Sequence, residues 1–248
     1  MKENAQRLLS WLYPSDKTAR WVKTAEFAMI APDLTSGGLQ SILSFLQARK
    51  RIRLEKIQNE SLASITTHGM RALEAQIPVF SPSRREWKGE WYGIFFLRAP
   101  KQDKNFRFLR RTLLGTHALP AARGMFLYPG ELPDRVTFEL HNTYEGGVMV
   151  VKLKDWLFGD EKEIIGSNFG LADLAETYSG ISKEIDSLLT GDSSLNSLTN
   201  QAKLRFFSVF DRLFSALKLD YGLQHFYFPQ VPNGVELLFQ LQNLSSRE

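Results

Sequence analysis

Gln40, Ser41 and Ser44 fall on one side of an otherwise apolar helical repeat, and Arg49, Arg51, Arg53 and Lys56 follow it directly. A glutamine amide can pair bidentately with adenine in the major groove, and serine hydroxyls can reach bases or phosphates. Guanidinium and ammonium groups suit phosphate oxygens, which fix register and carry no sequence information. These types in this order therefore predict recognition of a DNA duplex. Base contact is expected at Gln40, Ser41 and Ser44, and phosphate contact at Ser36, Arg49, Arg51, Arg53 and Lys56. Other chemistries find little support. The chain has no cysteine, and its four histidines (His68, His117, His141, His225) stand far apart and match no zinc-ligand spacing. It shows no glycine-rich phosphate loop, no Ser-His-Asp order and no paired acidic motif. Neither a catalytic residue nor a metal ligand is expected.

The elements that must position those side chains occupy residues 1–76. Leu39, Ile42, Leu43 and Leu46 recur at i, i+3, i+4 and i+7, and Thr35 or Ser36 can cap this helix. At about 100° per residue the opposite face shows Gly37, Gln40, Ser41, Ser44 and Ala48, flanked by Gln47 and Arg49. Two shorter helices are expected before it. Asn4–Leu12 carries Leu8, Leu9 and Leu12, and Thr24–Ile30 stops at Ala31-Pro32. After it, Ile52, Leu54, Ile57, Leu62, Ala63 and Ile65 alternate around the turn Asn59-Glu60, the pattern of a hairpin. Thr67 opens one more helix. Three helices, a hairpin and a helix describe a winged helix-turn-helix whose third helix enters the major groove. The same polar face is compatible with a solvated surface or a protein-binding winged helix, since its residues are neutral up to Arg49.

Pro78, Pro82 and the cluster 81–85 read as a linker into residues 77–165. Trp87-x-Gly89-x-Trp91 leads into the apolar run Tyr92–Leu97, a buried strand closed by Pro100. Phe106, Leu109, Leu113 and Leu114 then recur at helical spacing, with Arg107, Arg110 and Arg111 on the other side. Gly124–Tyr128 is a second strand, Leu132–Asn142 a second helix and Val148–Leu153 a further strand. With a short strand at Ala118–Ala121 the order is β-α-β-β-α-β, a ferredoxin-like α+β unit. The Trp-x-Gly-x-Trp motif, the Leu109-Arg110-Arg111 helix and the Gly124–Pro129 strand resemble the middle domain of PaaX-type transcriptional repressors. That resemblance implies a winged helix before this domain and a helical domain after it, at 166–248. It also implies a homodimer on a palindromic double-stranded DNA operator, released by an effector of the aryl-CoA (acyl-CoA) type. No cofactor is expected beyond such an effector. The middle domain is similar as well to the small subunit of CRISPR adaptation complexes, whose nuclease chemistry is associated with an Asp ending the first strand. Here that end reads Leu97-Arg98-Ala99-Pro100, with Asp103 in the following loop, so nuclease activity is not expected.

Residues 166–248 read as helices at Leu171–Leu189, Ser197–Leu219 and Val235–Leu244, with a break at Gly191–Ser194 and a turn at Asp220-Tyr221-Gly222. Phe206, Phe207, Phe210, Phe214, Phe226 and Phe228 either line an aryl pocket or fill helix packing; packing comes first. Charge is uneven. Residues 1–76 hold 11 Lys/Arg against 7 Asp/Glu, residues 77–165 hold 14 against 11, and residues 166–248 hold 6 against 9. The positive excess in the first two thirds permits a polyanionic partner there. No apolar run approaches the ~20 residues that span a bilayer, no secretory signal is expected, and the lack of cysteine fits the cytoplasm. Two other classes stay open. One is an assembly protein whose winged helix binds protein, and the other is a nucleic-acid enzyme, which would need a carboxylate pair near the first strand's end.

Overall fold

The computed structural model describes residues 2–16, 18–98, 103–189 and 200–245. Pro100, the expected break at Gly191–Ser194 and the expected helix start at Ser197 lie outside them. The chain is a mixed α+β protein with two antiparallel sheets. It divides into two compact units, residues 1–81 with 173–248 and residues 82–172.

The first unit begins with α1 (Glu3–Trp11), the two-residue strand β1 (Val22–Lys23), a 3₁₀ turn (Thr24–Glu26) and α2 (Phe27–Ile30). Then follow α3 (Ser36–Ala48), β2 (Ile52–Ile57), β3 (Glu60–Ile65) and α4 (Thr67–Glu74). Thr35 caps α3, its hydroxyl accepting from the Gly38 N–H at 3.1 Å. Gln58 and Asn59 join β2 to β3 with φ of 47° and 71°. Two consecutive left-handed residues make the tight turn whose twist matches the flanking strands. The register runs from Ile52 opposite Ile65 to Ile57 opposite Glu60, and β1 adds to the far side of β3 through Val22 opposite Ala63. This third strand is invisible in the sequence, because two residues carry no alternation to detect.

The second unit holds α5 (Pro82–Arg85), β4 (Trp91–Phe96), α6 (Lys104–Gly115), β5 (Leu119–Ala122), β6 (Met125–Pro129), α7 (Asp134–Tyr144), β7 (Val148–Leu153) and α8 (Glu161–Phe169). Its strands lie in the order β5-β6-β4-β7, every neighbour antiparallel. Ile94, Phe96, Phe126 and Tyr128 bury one face of this sheet against Phe106, Leu109 and Leu113 of α6 and Val136 and Leu140 of α7. Asp103 stands just outside α6. It caps α6, accepting from the Asn105 and Phe106 N–H groups and from the Tyr144 hydroxyl.

The chain then returns to the first unit with α9 (Leu171–Leu189), α10 (Asn200–Leu219), α11 (Gln224–Tyr227) and α12 (Gly234–Ser245). The segments read as first and third domains, 1–76 and 166–248, thus fall largely within one compact unit and share one core. Leu8, Leu9, Leu43, Leu46 and Ile52 belong to it together with Phe206, Phe210, Leu213, Phe214, Leu238 and Leu241. Trp11 meets Phe206 and Phe210 edge-on, at ring separations of 5.8 and 5.6 Å. The buried Gln242 amide donates to the carbonyls of Trp11 at 2.9 Å and Tyr13 at 3.0 Å, closing the C-terminal end of α1. Such carbonyls have no partner within their own helix.

Candidate nucleic-acid interface

The site is built on α3 and the strand that follows. Leu43 and Leu46 are buried, with Leu39 and Ile42 packed against the same core. That fixes the rotation of the helix and leaves Ser36, Gly37, Gln40, Ser41, Ser44, Phe45, Gln47 and Ala48 exposed. The Ser41 hydroxyl donates to the Gly37 carbonyl of its own helix at 2.8 Å. Within the described residues no hydrogen bond takes up the Gln40 amide or the Ser44 hydroxyl. Phe45 is the residue that a polar inventory passes over. The apolar repeat already leaves it off the buried face, and the residue is 46% exposed, with the Arg49 guanidinium 5.7 Å from its ring centroid.

Lys50 turns the chain from α3 into β2 with φ of 54°. The Lys50 and Arg51 carbonyls accept from the Thr66 hydroxyl at 2.6 Å and the Thr66 N–H at 2.9 Å. Gly69 packs so tightly here that a Cβ would lie 2.1 Å from the Arg51 carbonyl oxygen, so any side chain would push α4 off β2. The start of β2 is thereby anchored.

The structure places Ser36, Gln40, Ser41 and Ser44 on one exposed face with Arg49 at its C-terminal end. The strand divides the other basic residues. Successive side chains in a strand point to opposite faces. Ile52 and Leu54 face the core, so Lys56 shares their side beyond the core's edge, and Arg51 and Arg53 lie on the other. Arg53 and Lys56 are exposed, whereas Arg51 is half-buried and engaged within the chain. At the tip, Lys23 of β1 holds Glu60 at 3.1 Å. Residues 36–57 carry five basic side chains (Arg49, Lys50, Arg51, Arg53, Lys56) against one acid, Glu55. That is a net +4 in a single helix and strand.

In the second unit Arg107, Arg110 and Arg111 lie on the exposed side of α6. A groove of about 560 Å³ runs between α7 and β7, lined by Tyr92, Leu132, Leu140, Val148, Val150, His141, Glu131 and Glu145 among others. Its lining is mostly apolar, with the two glutamates exposed. Phe206, Phe210 and Phe214 are fully buried in the core of the first unit. Asp103 is held below the ordinary carboxylate range, chiefly by the Tyr144 hydroxyl and then by the helix N–H groups. Among the described residues no three His, Cys, Asp or Glu side chains gather as metal ligands would. No described helix is long and apolar enough to cross a membrane.

No family model matches the chain. No curated protein matches it. Among solved structures it is similar to the uncharacterized protein Rv0674 from Mycobacterium tuberculosis, with 14% identity and a TM-score of 0.50, over 96% of this chain and 92% of that one. At that identity the likeness concerns the fold alone.

Proposed function

We propose that the chain is a DNA-binding transcriptional regulator, a dimeric repressor akin to the PaaX type. In this reading α1–α4 with β1–β3 form a winged helix-turn-helix, α3 being the recognition helix and β2–β3 the wing. The strand order β5-β6-β4-β7 with α6 and α7 on one face supports a ferredoxin-like middle domain. One observation carries the proposal. The exposed face of α3 offers an uncommitted glutamine amide and serine hydroxyls, and runs directly into a segment of net +4. Base-edge readers beside phosphate-binding cations are what a duplex requires.

One winged helix covers little DNA, and twofold symmetry doubles its contacts. The β7 edge supports a dimer, because Met149 and Val150 are exposed on a strand whose outer side pairs with no other strand among the described residues. An aryl-CoA effector rests on the resemblance to PaaX-type repressors alone. A protein-binding winged helix is the second reading, favoured by the exposed Phe45 and Ile57. Selection of bound duplexes from random fragments separates the two. The repressor reading expects an enriched inverted repeat with half-sites about 10 bp apart, or a multiple of that. Absence of enrichment removes it.

A further inference from the structure

We propose that Phe45 reads the C5-methyl group of a thymine, so that the duplex recognised carries an A·T pair in each half-site; this rests on α3 being the DNA-facing helix. A single exposed phenylalanine on a general surface needs no explanation. This one stands on the same open face as Gln40, about 140° around the helix from it at 100° per residue. Between the two lie small side chains. A Cβ built at Gly37 would meet nothing within 4 Å, and Ser41 has turned its hydroxyl back to its own helix. The face is thus shallow enough for the helix to approach base edges closely, with Gln40 on one flank and Phe45 on the other.

The charge around the ring selects the partner. Arg49 lies over the ring, and Lys50, Arg53 and Lys56 follow, with Glu55 the one acid from Ser36 to Ile57. A partner seated on Phe45 must therefore offer an apolar group with anions beside it. The major groove does so at thymine, whose methyl is the apolar group on its base edges, flanked by the phosphates that Arg49 can reach. Gln40 complements this, since its amide matches the N6 and N7 edge of adenine.

The probe is the full chain binding the duplex enriched by selection, against the same duplex with thymine replaced by uracil at one position at a time. That exchange removes only the methyl. The parent should lose about fourfold in affinity at one position per half-site, the worth of one buried methyl group. Phe45→Ala should bind the thymine and uracil duplexes equally while keeping the parent's salt dependence. Gln40→Ala should keep the uracil penalty. An enriched site without thymine, a parent indifferent to uracil at every position, or a Phe45→Ala variant that retains the penalty would each overturn the proposal and leave the DNA reading standing. A Phe45→Ala variant that binds DNA normally but loses a protein partner captured by the parent would also overturn the proposal, and a parent that binds no duplex would overturn the DNA-facing role of α3 as well.

Discussion

Asp220 sits just beyond α10, 1% exposed, and its carboxylate accepts from the Gly222 N–H at 2.7 Å and the Tyr178 hydroxyl at 2.9 Å. Burial pushes the carboxyl up to about 6, although hydrogen bonds from the Gly222 and Leu223 N–H groups and the Tyr178 hydroxyl pull it down. An unfolded aspartate titrates near 3.9, so the shift is about two pH units, or ~3 kcal/mol. The folded form holds the proton more tightly than the unfolded chain. The stability contributed by the protonated group is therefore complete below about pH 4 and is lost as pH rises through 6. Asp220→Asn keeps the acceptor for Gly222 and removes the charge, while the Tyr178 hydroxyl can turn to accept from the new amide. Urea unfolding followed by tryptophan fluorescence from about pH 4 to 7.5 reads the difference. Relative to the parent, the variant should gain stability as pH rises, by up to ~3 kcal/mol, with the change spread between about pH 4 and 6 and half complete near pH 5. Parallel stability profiles in parent and variant would show that the folded carboxylate is solvated, and the buried assignment would fail.

Gln242→Ala removes the donor to the Trp11 and Tyr13 carbonyls and should cost ~2 kcal/mol in chemical denaturation. A loss under about 0.5 kcal/mol would mean that other groups satisfy the end of α1. Leu43→Asp places an unpaired charge in the core shared by α3 and the C-terminal helices, and cooperative unfolding should disappear in circular dichroism. A folded variant would mean that α3 turns a different face inward. Met149→Lys puts a charge on the exposed β7 edge and should shift sedimentation from dimer to monomer with the fold intact. A dimer unaffected by it would move the interface elsewhere.

Most local structure was legible because its signals are local. The i, i+3, i+4, i+7 repeat from Leu39 to Leu46 fixed which face of α3 is exposed, and alternation around Asn59-Glu60 located the hairpin. The apolar runs at 92–97 and 124–128 located, to within a residue, the central strands Trp91–Phe96 and Met125–Pro129 of the second sheet. What the sequence hid depends on distant contacts. β1 is two residues long and exists only through its pairing with β3. The union of α1 with α10 and α12 rests on Gln242, Trp11 and Phe210, separated by some two hundred residues. In the site, the run Arg49–Lys56 reads as one basic stripe, but strand period turns Arg53 and Lys56 to opposite faces and half-buries Arg51. Asp103 reads as a loop acid until its cap on α6 is seen.

The most direct test of the DNA assignment is the slope of log affinity against log salt, measured on random and selected duplexes. Each cation that neutralises a phosphate releases counterions, so replacing Arg49, Arg53 or Lys56 by Ala should lower the slope by ~1 per phosphate left unneutralised, equally on both DNAs. Arg107→Ala, Arg110→Ala and Arg111→Ala, in the second unit, should leave it unchanged. An unaltered slope in the Arg49, Arg53 and Lys56 variants, or a fall confined to the Arg107, Arg110 and Arg111 variants, would contradict a DNA interface built on α3 and β2.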